Sequence, residues 1–241
     1  MNLKIDNWDY NELENLILEL KKLSNEKFKN FNDKIINTTS KTIGVQIPKL
    51  RLIAKEISKG NYISFLSLNM PDIFELHIIY ALVLSKIKDI NLSYPLFKNF
   101  IYTINNWAVC DILCGEYKIV LKNKEFYLNE IKKIVKTNNE FVVRVGLILL
   151  MKFYIKTNLF EIFEILNTIT CNKYYVNMGI AWLLSTTFIF DEKSTLNYIN
   201  TSQLSYFVKN KTFQKILESK QVTPLQKKDI KKLKINLSPN K

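Results

Sequence analysis

The sequence predicts an all-α protein, on three observations. Glycine and proline number only five each among 241 residues, too few to punctuate a many-stranded sheet. Apolar residues recur at three- and four-residue spacing rather than alternating. Helix start and stop signals, such as Thr223-Pro224-Leu225-Gln226, stand where the apolar periodicity begins or ends.

Taken in order, Tyr10, Leu13, Leu16, Ile17 and Leu20 form the apolar stripe of a first amphipathic helix, and Phe28, Phe31, Ile35 and Ile36 that of a second. In Thr42-Ile43-Gly44-Val45-Gln46-Ile47-Pro48, the glycine permits a tight turn and Pro48 suits a first helical position. That helix is expected to run to Lys59, with Gly60 as its stop. Its amide groups could cradle a phosphate, with Lys49 or Arg51 adding charge; an ordinary helix start explains the same residues equally well. Further helices are expected over residues 72–88, 92–103, 107–121, 125–135, 140–155, 160–168, 173–188, 192–199 and 211–218. Thr223 then opens a capping box with Pro224 in the first turn, leading a final helix to residue 235. Lys227, Lys231 and Lys234 line one of its faces, a solvated face by default and a phosphate-facing one otherwise. Residues 236–241 read as a frayed tail.

Helices of this length recur in pairs every ~40 residues, the spacing of a HEAT-like α-α superhelix, a solenoid with a concave face. The repeat rests on spacing alone, because no internal sequence identity accompanies it. With 47% hydrophobic residues the chain can bury one core, so a single domain over 1–241 is expected. A balance of 35 basic against 22 acidic residues gives a net charge of +13, which would make such a concave cleft basic and favours a polyanionic partner. A lysine-rich solvated surface is the competing explanation. Only Arg51 and Arg144 are arginines, which draws interest to both, since a planar, permanently charged fork suits bidentate contacts. Three cysteines without C-x-x-C spacing suit a reducing compartment and neither a disulfide framework nor a zinc site. The opening Met1-Asn2-Leu3-Lys4 carries no apolar signal region, and no uncharged run reaches membrane-spanning length. A cytoplasmic protein with no membrane contact is expected.

Three segments carry unusual chemistry. In Asn105-Asn106-Trp107-Ala108-Val109-Cys110-Asp111, helical spacing places an indole and a carboxylate on one face, where a cationic group could meet both. A packed tryptophan beside a capping or ion-paired aspartate is the plain alternative. Arg144 interrupts the apolar run Val142-Val143-Arg144-Val145, either as a functional cation or as a core ion pair with Asp111. Trp182 follows Gly179 and Ala181, small residues that allow close helix packing.

Jointly these segments resemble the AlkD-like DNA alkylation repair family, the HEAT-repeat DNA glycosylases. The resemblance runs from Gly44-Val45-Gln46-Ile47-Pro48 through Trp107-x-x-x-Asp111, Arg144 and Ala181-Trp182 to the basic C-terminal helix. It implies a catalytic aspartate at Asp111, cleft tryptophans at Trp107 and Trp182, and a cleft arginine at Arg144. It also implies a monomeric, cofactor-free and metal-free enzyme that excises N3- and N7-alkylated purines, such as 3-methyladenine and 7-methylguanine, from duplex DNA. Lys49, Arg51, Lys227 and Lys231 are the candidate DNA contacts. Near the N-terminus, only Trp8, Tyr10 and Lys27 offer the aromatic or basic contacts found in the family.

The chemistry fits one carboxylate. A purine alkylated at N3 or N7 is already cationic and departs neutral, so only the developing oxocarbenium needs an anion, whereas sugar hydrolases use two carboxylates. A non-catalytic HEAT-repeat binder of damaged or branched DNA is the rival expectation, and a protein-binding solenoid a weaker one. Other chemistries have little support: five scattered glycines form neither a GxGxxG nor a P-loop. His77, the only histidine, lies in an apolar helix and reads as structural, and Cys110 and Cys114 read as packing.

Overall fold

The computed structural model describes residues 3–237. Among these residues it holds fourteen α-helices, one 3-10 segment and no strand. The chain divides into two compact units, one ending at Asn123 and the other starting at Lys124.

The first unit comprises α1 (Tyr10–Lys22), α2 (Glu26–Ile36), α3 (Ile47–Ile57), α4 (Tyr62–Leu66), α5 (Phe74–Leu84), α6 (Ile90–Ile101), α7 (Trp107–Glu116) and the 3-10 segment Lys118–Lys122. Side chains of Asp9, Asn25, Asn61, Asp89 and Asn106 accept the otherwise orphaned amides at five of the helix starts. Every residue of α5 is buried, as befits a helix that is apolar all round, and α3 and α7 both pack on it.

The second unit comprises α8 (Lys124–Ile134), α9 (Glu140–Phe153), α10 (Leu159–Asn167), α11 (Tyr174–Phe190), α12 (Glu192–Thr201), α13 (Tyr206–Glu218) and α14 (Pro224–Ile235). Here α11 is packed by α9 and α13, while α8, α12 and α14 pack on α9, α11 and α13 respectively. In both units a helix stacks on the next but one, α3 on α5 on α7 and α9 on α11 on α13. That is the packing of a helical repeat, built from pairs that cannot bury their apolar faces alone.

Several boundaries differ from the sequence expectation. The helix expected over 107–121 ends at Glu116, because Tyr117 leaves helical geometry to stack on Phe97 at 4.5 Å and to share a hydrogen bond with Ser93. The helix expected over 72–88 starts only at Phe74, since Lys41 bonds Asp72 and Phe74 in an isolated parallel bridge. The helix expected over 211–218 begins earlier, at Tyr206, where Ser205 caps Val208. Five-residue α4 is too short to show a period and was not legible. The capping box at Thr223 forms as expected, with Pro224 opening α14. Of the expected frayed tail, only Asn236 and Leu237 fall within the described residues; 238–241 lie outside them.

Candidate functional site

The first unit builds its group of candidate residues from the start of α7. Asn106 is fully buried; its Oδ1 accepts the Val109 amide at 2.9 Å, while its Nδ2 donates to Asn105 Oδ1 at 3.0 Å and Thr38 Oγ1 at 3.3 Å. Asn105 Nδ2 in turn donates to Thr39 Oγ1 at 2.9 Å and Ser40 Oγ at 2.8 Å, and its Oδ1 accepts from Thr38 Oγ1 at 2.9 Å. Ser40 Oγ also donates to Asp72. Two consecutive asparagines therefore tie the first turn of α7 to the segment that follows α2. Trp107 adds a third tether, its indole N–H donating to the Ile35 carbonyl at 3.3 Å.

On α7, Ala108, Val109, Cys110, Leu113 and Cys114 are buried, and the residues left partly open are Trp107, Asp111, Ile112, Gly115 and Glu116. Trp107, Asp111 and Gly115 follow one another at four-residue steps, so they share a face, as the sequence predicts for the first two. At Gly115 a side chain would meet open space, with no atom within 4 Å. Arg51, on α3, reaches the end of the same helix: its Nη1 lies 2.6 Å from Glu116 Oε1. Lys49 is exposed in the first turn of α3.

The phosphate cradle considered at the Gly44 turn is engaged internally. Glu75, fully buried on α5, accepts the amides of Ile43 at 2.9 Å, Gly44 at 2.6 Å and Val45 at 3.2 Å. Gly44 adopts φ 96°, the left-handed region that a glycine takes without strain. The next amides, of Lys49 and Leu50, bond to the Gln46 carbonyl. A buried carboxylate thus takes the place an anion would need. Trp8 is also unavailable as a DNA contact: it is 3% exposed and packs edge-on against Phe65. Tyr10 and Lys27 are exposed.

The second unit carries the other candidates on α9 and α11. Arg144 is buried, and its Nη1 donates to the Tyr175 carbonyl at 3.0 Å. One turn earlier on α9, Glu140 accepts the Tyr175 amide at 2.6 Å. The two charges hold the amide and the carbonyl of one residue, Tyr175, and so fix the first turn of α11 against α9. Gly179 makes the close approach possible, since a side chain there would stand 3.1 Å from Leu147 and 3.6 Å from Arg144 Nη1. The small residue before Trp182 acts as the sequence suggested.

Along α11, Tyr175, Met178, Trp182 and Thr186 remain partly open while the intervening residues are mostly buried. Trp182 also lines a cavity of about 350 Å³ together with Ser185, Thr186, Lys215 and Glu218. The ammonium of Lys152, in the last turn of α9, sits 5.9 Å from the centre of its ring. Lys152 escaped the sequence reading, because nothing in a helical period marks which lysine lies over an indole on another helix. Lys227 and Lys231 on α14 are partly and fully exposed, respectively.

Residues 16–221 match the family described as DNA alkylation repair enzyme. The chain belongs to this family. No curated protein matches it. Membership in the DNA alkylation repair enzyme family makes the chain an enzyme of alkylation repair, and it covers both the Trp107–Asp111 turn and the Arg144–Trp182 helices. Among the described residues no helix is long and apolar enough to cross a membrane.

Proposed function

We propose that this protein is a DNA glycosylase that hydrolyses the N-glycosidic bond of N3- and N7-alkylated purines in duplex DNA and leaves an abasic site. The observation that carries this reading is the open stripe of α7, where Asp111 stands one turn from Trp107 and beside the empty space at Gly115. Membership in the DNA alkylation repair enzyme family supports it.

The reaction asks little of the protein. The bond between C1′ and the purine nitrogen breaks with its electron pair going to the base, which neutralises the base's positive charge and makes it a good leaving group. Positive charge then develops on the deoxyribose. A carboxylate held in place before the reaction stabilises that charge without reorganisation, and it can orient the water that attacks C1′ and loses a proton. Asp111 has this part. Trp107, its ring tethered through Ile35, offers a π face to the same developing cation.

Trp182, on α11, is read as another cation-binding face. Arg144 is read as a phosphate-directed cation, and its bond to Tyr175 supports a positioning part as well, because it sets the helix that carries Trp182. Lys49, Arg51, Lys227 and Lys231 are read as phosphate contacts of a HEAT-type solenoid on double-stranded DNA, the protein acting as a monomer.

The test is release of 7-methylguanine from methylated duplex under single-turnover conditions. The wild type is expected to release it, and Asp111→Asn to abolish release while its circular dichroism spectrum and melting are unchanged. Duplex binding without any release by the wild type would overturn the catalytic reading in favour of a non-catalytic binder of damaged DNA.

A further inference from the structure

One face of Trp182 already has a cation within reach. Lys152 places its ammonium 5.9 Å from the ring centre, within the range of a cation–π contact. Among the described residues this ammonium has no carboxylate partner, and Lys152 is exposed to solvent. Among the described residues Lys124 and Lys211 also stand near a ring, whereas Lys22, Lys29, Lys59, Lys132, Lys133 and Lys232 pair with acidic side chains. An ammonium over one face of an indole repels a second cation, such as an alkylated nucleobase, from that face.

We propose that Lys152 is a positioning residue that guards the face of Trp182 and yields it only when a phosphate of the bound duplex has drawn its ammonium away. The inference rests on the reading of Trp182 as a cation-binding face given under Proposed function. A phosphate carries a full charge, against the quadrupole of a ring, so an exposed lysine with no acidic partner exchanges the ring for the phosphate once a duplex is present. The exchange leaves the indole open beside the cavity lined by Ser185, Thr186 and Glu218. In the absence of DNA the face stays covered, and free organic cations do not occupy it. Because Lys152 sits in the last turn of α9, its charge also suits the helix C-terminus in either position, so leaving the ring does not disturb α9.

The exchange is readable without any excision. The indole ¹H–¹⁵N signal of Trp182 is assigned by its loss in Trp182→Phe, and the signal of buried Trp8 serves as a reference. Free wild type and free Lys152→Met are expected to differ at Trp182. Adding a short undamaged duplex moves the wild-type signal towards its position in free Lys152→Met, and raising the salt concentration reverses the movement. Lys152→Arg retains the response. In parallel, the slope of log affinity against log salt is lower in Lys152→Met by about 0.9, the contribution of one phosphate contact.

Identical Trp182 signals in the two free proteins, or duplex binding that leaves the wild-type signal in place, would overturn the proposal. The two readings fail separately. A signal that moves in a protein releasing no alkylated base leaves the guard standing and removes the glycosylase; base release with an unmoved signal does the reverse. Lys152→Gln provides a second uncharged variant at this exposed position.

Discussion

His77 lies 6% exposed on the wholly buried helix α5, its Nδ1 without a hydrogen-bond partner and 4.0 Å from the Asp72 carboxylate. Burial lowers its pKa, and the opposing pull of Asp72 is smaller. The folded state therefore takes up this proton less readily than the unfolded chain does. Stability from the neutral ring is present above the ordinary histidine value of about 6.5, and it is lost as pH falls through that value towards the depressed one. Urea midpoints measured from about pH 7.5 down to about 5 are expected to fall in the wild type. In His77→Gln that component of the fall is absent; an equal fall in both proteins would assign it to other groups. Glu75 shows a different outcome for a buried ionisable group. Three backbone amides satisfy its carboxylate, so the Gly44 turn is held by a charge-assisted network instead of being left open for an anion.

At the scale of the element, α7 combines a heavily constrained start with an open face. Its first turn is fixed by Asn105, Asn106 and the Trp107 indole, whereas a side chain at Gly115, two turns on from Trp107, would meet no atom within 4 Å. A glycine in a helix interior costs about 0.5–1 kcal/mol relative to alanine and less at Gly115, the penultimate residue of α7, where no packing reason requires one. Gly115→Ala is thus expected to stabilise the protein by less than about 1 kcal/mol, read as a higher melting temperature. Gly115→Leu is expected to fold as well and yet to slow 7-methylguanine release at least tenfold, since its side chain fills the space beside Asp111. Unimpaired release by Gly115→Leu would show that substrate does not approach along this stripe.

For the whole molecule the governing quantity is charge. A net charge of +13, from 33 lysines and two arginines against 22 acidic residues, would give duplex binding a strong electrostatic component. Log affinity for an undamaged duplex is expected to fall linearly with log salt, by about 0.9 for each phosphate neutralised, and fluorescence anisotropy between about 50 and 200 mM salt measures it. Affinity that is flat over this range would make the lysines a solvated surface and nothing more.

What the sequence determined by itself is what short-range physics controls. Helical periodicity and capping residues such as Thr223 act within one or two turns, so the longer helices and the shared face of Trp107 and Asp111 were legible directly, whereas the five-residue α4 was not. Tertiary structure alone decided which polar groups are taken up by partners distant in sequence. The Trp107 indole bonds a carbonyl 72 residues away, Glu75 reaches the Gly44 amide 31 residues away, and Trp182 meets Lys152 from a different helix. Such pairs leave no periodic trace, because each is fixed by how one helix packs on another and not by the spacing along either.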